Sequence, residues 1–129
     1  MTQAQLSPAV RRLLETDVDS FEKLEVLTRI RETSSGLAVD DAAFDNAAMR
    51  WTVDELMRAQ LIERRGRAYV LGPRGSEVAV AELLTLYTTD RMVVVSELSS
   101  LAMERIRSMA AKAFANAFVL RKKRRDDDG

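Results

Sequence analysis

Apolar residues recur along this chain with a helical period nearly throughout, and the one stretch that departs from it reads as a pair of short strands. Residues 6–15, "LSPAVRRLLE", predict a short helix with Ser7 as its cap and Pro8 in the first turn, where a missing N–H is harmless. This helix is expected to pack as an N-terminal arm. Asp19-x-x-Glu22 then resembles a capping box with Asp in place of Ser or Thr, and Leu24, Val26, Leu27 and Ile30 give the helix that follows a broad apolar face ending near residues 33–36. In "SSGLAVDDAAFDNAAMRWTVDELMRAQ", Asp40 or Asp41 can cap a short helix through Ala42, Ala43 and Phe44. Asp45 or Asn46 can end it and cap a successor, which makes a helix-turn-helix. Met49, Val53 and Leu56 stand at i, i+4 and i+7 in that third helix and are expected to face the core. The same phase leaves Arg50, Trp51, Asp54, Glu55 and Arg58 largely outward.

The departure is "LIERRGRAYVLGP", residues 61–73. Leu61 and Ile62 on one side and Tyr69, Val70 and Leu71 on the other are β-prone, Gly66 permits the positive φ of a tight hairpin, and Gly72-Pro73 stops the second strand. From Ser76 a long helix is predicted. Val80, Tyr87, Val94 and Leu101 stand seven apart, with Leu84 and Leu98 four beyond Val80 and Val94, a coiled-coil-like seam interrupted by Arg91 and Arg105. The β-prone "MVVVS" also permits a break between Thr88 and Val95. Helical spacing resumes through Ile106, Met109 or Ala110, Ala113, Ala117 and Leu120, with Phe114 and Phe118 adding bulk. "RKKRRDDDG" reads as a solvated end, its basic block cancelled by Asp126, Asp127 and Asp128. The expected organisation is an arm (1–18), a winged helix-turn-helix (19–73), a helical dimerisation region (74–122) and a charged flexible tail (123–129), mostly α with a small β-hairpin.

Composition narrows the chemistry. The chain has 129 residues, the size of one compact domain, with no cysteine and no histidine. Disulfides, thiolate metal sites, cysteine nucleophiles and the usual general base are therefore absent, and with no glycine-rich phosphate loop no enzymatic activity, metal or cofactor is expected. No run approaches the roughly 18 apolar residues of a membrane span, and "MTQAQLSPAV" carries no signal pattern, so no membrane association and a cytoplasmic location are expected. Lys plus Arg and Asp plus Glu both number 20. Residues 1–60 hold 7 basic and 11 acidic side chains, 61–75 hold 4 and 1, and 76–129 hold 9 and 8, so the hairpin is a local basic island.

The order of helix, short helix, recognition-type helix, basic hairpin and long helix resembles the winged-helix arrangement of bacterial regulators of the MarR and PadR type, over about residues 19–105. The end, "AKAFANAFVLRKK", is similar to the "FADAFRLRKK"-like ending of a group of small uncharacterised bacterial winged-helix proteins, with Asn116 and Val119 at two positions where that group tends to have Asp and a basic residue. The resemblance implies a homodimer held by helices outside the winged helix, presenting residues 47–59 to the major groove of double-stranded DNA and residues 63–69 as the wing.

The residues expected to meet DNA are Arg50, Thr52 and Arg58 on the third helix and Arg64, Arg65 and Arg67 on the wing, gripping phosphates or reading base edges. The plainer alternative is that Arg50–Asp54 and Asp54–Arg58 are i, i+4 pairs that solvate a helix face, and that the wing arginines are ordinary hairpin-tip charge. The homodimer interface is expected at Val80, Leu84, Tyr87, Val94, Leu98 and Leu101, joined by Phe114 and Phe118. Any effector pocket is expected between the long helix and the winged helix. A second function is a winged helix used for protein contacts, an adaptor without DNA binding, which the neutral charge, the acidic Asp54 and Glu55 and an exposed Trp51 would suit. A lone Trp more often packs beneath a neighbouring element, so burial of Trp51 within the chain is the expectation.

Overall fold

The computed structural model describes residues 6–127, with side chains described through Val119. They form two compact units, divided between Leu98 and Ser99.

The first unit begins with α1 (Pro8–Glu15), capped by Ser7, whose hydroxyl accepts from the Val10 N–H at 3.2 Å. Val10, Leu13 and Leu14 are buried, so this segment belongs to the core instead of lying on it as an arm. The cap of α2 (Phe21–Glu32) is Ser20, not Asp19: Ser20 is extended, and its Oγ accepts from the Lys23 N–H at 3.3 Å. The Asp19 carboxylate takes the Lys23 ammonium instead, at 2.8 Å. Leu24, Val26, Leu27 and Ile30 are buried as their spacing predicts, and the helix ends at Thr33.

Between α2 and α3 the chain lays down β1 (Leu37–Ala38), a strand too short to show a period. It pairs antiparallel with the second strand of the hairpin, Leu37 opposite Tyr69 and Ala38 opposite Ala68. Gly36 leads into it at φ +85°, where a Cβ would stand 2.6 Å from the Tyr69 carbonyl oxygen, so this position needs glycine on two counts. The expected short α-helix is a single 3-10 turn, Ala42–Phe44, opened by Asp41 accepting from the Ala43 N–H at 2.9 Å. It is short because Asn46 at once caps the next helix, accepting from the Met49 N–H at 2.8 Å.

In α3 (Ala47–Arg58) the buried residues are Thr52, Val53 and Leu56, while Met49 is only half-buried. Residue 60 has a left-handed backbone, φ 64°, and the Leu61 N–H bonds the Leu56 carbonyl at 3.0 Å, turning the chain into β2 (Ile62–Arg65). The turn to β3 (Ala68–Leu71) is Gly66-Arg67, and only Gly66 has positive φ, 61°, the pattern of a type II′ hairpin. Ile62 faces Leu71 and Arg65 faces Ala68, and the sheet order is β1-β3-β2. Phe44 meets Tyr69 edge to face, centroids 5.5 Å apart, fastening the 3-10 turn to the sheet. The element order is the helix-turn-helix with wing expected from the sequence.

The long helix breaks within the permitted window. α4 (Val78–Thr89) ends at Asp90, φ −142° and ψ 64°, and α5 (Arg91–Asp127) begins directly after it. α4 packs against α1 and α2. Val80, Leu84 and Tyr87 from α4 and Val94 and Leu98 from the start of α5 are buried inside this unit. The seam expected to hold a dimer is thus core: the break at Asp90 lets both helices turn the stripe inward.

The second unit is the remainder of α5, which continues without a break where two helices were expected. Leu101 is half-buried, and every residue from 102 to 119 is exposed. The helix extends to Asp127, into the segment expected to be a flexible tail. The side chains of the basic block and of Asp126, Asp127 and Asp128 lie outside the described residues. No described helix is long and apolar enough to cross a membrane.

Candidate nucleic-acid interface

Once Val53 and Leu56 set the phase of α3, its outer face carries Arg50, Trp51, Asp54 and Arg58, all exposed but for a half-buried Arg58 neighbour, Glu55. Thr52 is not among them. It is 3 % exposed and its hydroxyl donates to the Ala48 carbonyl oxygen at 2.8 Å, so both its position and its hydrogen-bonding capacity are taken within the helix. The expectation of Thr52 at a DNA surface is corrected on that ground. Burial of Trp51 is corrected too: the indole is 58 % exposed, with the Lys23 ammonium 5.6 Å from its ring. Lys23 lies in the core side of α2, 5 % exposed, which brings its charge to the Trp51 ring and to Asp19.

The wing arginines divide. Arg65 is ion-paired to Glu63 at 3.0 Å, two residues earlier on the same face of β2. Arg64 donates from Nε to the Gly66 carbonyl oxygen at 2.9 Å, closing the turn while its side chain remains exposed. Arg67 is exposed at the tip. Neither the Arg50–Asp54 nor the Asp54–Arg58 pair forms, and among the described residues Arg50, Arg58, Arg64 and Arg67 make no ion pair. Of the six expected DNA-facing residues the structure therefore leaves four outward and unneutralised, one partnered and one buried.

Arg74, a residue to which no periodicity draws attention, holds the base of this surface together. Its guanidinium reaches Asp17 at 2.8 Å, the Ala59 carbonyl oxygen at 3.0 Å and Glu77 at 3.3 Å, tying the α1–α2 loop, the end of α3 and the start of α4. The hydrogen bond it donates to the Asp17 carboxylate raises its pKa above the ordinary arginine value, outweighing partial desolvation. Open clefts lie on the surface of this unit, among them one lined by Asp17, Arg74 and Glu77 themselves. Another, of about 240 Å³, is lined by Thr16, Asp17, Lys23, Glu55, Arg58 and Ala59. A third, of about 280 Å³, lies between α2 and α4 beside Thr28, Arg31 and Thr85, where the Arg31 guanidinium already donates to the Ala81 carbonyl and the Thr85 hydroxyl, both at 3.1 Å. Among the described residues no group of carboxylates is placed to hold a metal ion.

Of the residues expected at a dimer interface, Val80, Leu84, Tyr87, Val94 and Leu98 are enclosed by the chain's own core, while Phe114 and Phe118 are 76 % and 64 % exposed. No protein-family model, no characterised protein and no solved structure matches this chain.

Proposed function

We propose that this protein is a dimeric winged-helix DNA-binding protein acting as a transcriptional regulator, with α3 entering the major groove and the wing lying along the phosphate backbone. The observation that carries this reading is the set of outward arginines, Arg50 and Arg58 on α3 and Arg64 and Arg67 on the hairpin, with no carboxylate partner among the described residues. Arginines left unneutralised on a recognition-type helix and the adjoining wing suit phosphate and guanine edges, to which the guanidinium fork binds bidentately.

The test is a salt titration of binding to random-sequence duplex DNA. Wild-type protein binds with an affinity that falls steeply with salt. Replacing Arg64, Arg65 and Arg67 together by Ala flattens that slope by about two phosphate contacts, because Arg65 already serves Glu63. Absence of binding at low salt by a folded protein sinks the DNA reading.

One observation favours a protein partner instead: Trp51 stands 58 % exposed beside the exposed Asp54 on the face that would enter the groove. An exposed indole ringed by charge is a common anchor of protein interfaces. Under that reading Trp51→Ala abolishes partner binding and leaves DNA affinity at its background level. Under the DNA reading the single tryptophan is shielded from collisional quenchers when duplex is added.

A further inference from the structure

The second unit presents bulky apolar side chains that nothing among the described residues covers. Met103, Ile106, Met109, Phe114 and Phe118 are 54–76 % exposed. At about 100° per residue they fall within one half of the helix circumference, roughly 180°. Down the middle of that half run Ala110, Ala113 and Ala117, small residues that let a second helix approach closely. Scattered exposed apolar residues are ordinary, but a continuous stripe along about four helical turns marks a contact surface.

We infer that the occupant of this stripe is the same stripe of a second copy, running antiparallel, with the two-fold axis between residues 111 and 112. In that register Ala110 lies opposite Ala113 of the partner subunit, and Ile106 lies opposite Ala117 of the partner subunit, so a large side chain meets a small one in each outer layer. The inference rests on the self-association part of the proposed function and needs no DNA.

Two observations select this occupant. The first is area. Five side chains exposed to this degree offer on the order of 650 Å² per chain, hence about 1,300 Å² in a pair, which reaches the size of a standard stable interface. The second is charge. Residues 121–125 are five consecutive basic residues, Arg121, Lys122, Lys123, Arg124 and Arg125, followed by three aspartates that leave this end net basic, while the opposite end of the stripe carries Glu104 with Arg105 and Arg107. A parallel, in-register pair brings two such blocks to the same end; the antiparallel pair separates them. The opposed helix dipoles favour the same orientation. Phe114 then lies opposite Met109 of the partner subunit, a methionine against an aromatic ring, where the parallel pair sets Phe114 against its own copy.

The chain has no cysteine, so engineered thiols report orientation cleanly. Ile106→Cys and Ala117→Cys chains are prepared singly and as an equimolar mixture, oxidised mildly at micromolar concentration, and resolved by mass. The antiparallel pair predicts that the mixture gives, as its main crosslinked species, the heterodimer in which one chain of each variant is joined by a disulfide. Each variant alone gives almost none, because its two thiols sit about 16 Å apart along the helix. Homodimers of each single variant with a dimeric mass overturn the antiparallel register while leaving self-association standing. A monomeric mass in light scattering overturns both the inference and the dimer of the proposed function, and DNA binding is scored separately. Phe114→Asp should convert the dimer to monomer without changing the melting of the rest of the chain, since Phe114 is exposed in the single copy. A monomer that co-sediments with phosphatidylglycerol vesicles also overturns the inference by giving the stripe another occupant.

Discussion

Tyr87 shows how one side chain can belong to the core and still carry chemistry. It is 3 % exposed, its hydroxyl donates to the Glu25 carboxylate and the Arg91 guanidinium lies 4.5 Å from its ring centre, at the junction of α4 and α5. Burial, reinforced by the Glu25 hydrogen bond, raises its pKa above the ordinary 10.0, and Arg91 opposes this weakly. The neutral phenol is thus favoured in the folded state. Its contribution to stability is complete below pH 10.0, the unfolded value, and is lost as pH climbs from there through the raised folded value. Tyr87→Phe should lower stability at neutral pH by about 1 kcal/mol and remove the part of the alkaline destabilisation that begins near pH 10, read from denaturant midpoints across about pH 8–11. If the variant loses stability above about pH 10 as the parent does, the titrating group is another one. At this scale the sequence is legible for residues whose environment their own helix sets: Val53 and Leu56 are buried as their spacing requires. It is misleading for Thr52, which is 3 % exposed, whereas the same phase places Trp51 outward as found and only the general tendency of a lone tryptophan to pack within the chain fails.

Helix starts were readable because capping is chemistry within four residues. Ser7, Asp41 and Asn46 each accept the expected backbone N–H. The exception, Ser20 in place of Asp19, is instructive: the two differ by one position, and the cap falls to Ser20 because the Asp19 carboxylate already holds Lys23. Ser20→Ala should therefore lower stability by about 1 kcal/mol, within the usual range for an N-cap. A chemical denaturation series that finds no loss would return the capping role to Asp19. β1 was not readable at all. Two residues show no alternation, and Leu37–Ala38 becomes a strand only because β3 offers a free edge and Gly36 can pass close to the Tyr69 carbonyl.

Across the whole chain the formal balance of zero conceals a division. Residues 1–98 hold 12 basic and 16 acidic side chains, and residues 99–129 hold 8 and 4. The acidic excess lies in the unit that carries the proposed DNA surface, so binding there depends on the local arginines and not on a long-range field. The structure also changes what a mutation in the heptad-like stripe means. Leu84 is 1 % exposed, and Leu84→Asp buries a carboxylate without a partner, so it should unfold the first unit, with loss of the cooperative thermal transition. A folded, monomeric Leu84→Asp protein would show that this leucine serves a subunit contact after all.

By itself the sequence determined the helical phases, most caps, the hairpin with Gly66 at its turn and the window in which the long helix breaks, because each is a property of contiguous residues and their backbone preferences. Tertiary structure alone decided which apolar stripe is satisfied at home. Val80, Leu84, Tyr87, Val94 and Leu98 and the stripe from Met103 to Phe118 have the same kind of periodicity, and nothing in the spacing separates them. What separates them is the presence of α1 and α2 against α4, and burial is a property of neighbours brought together by the fold.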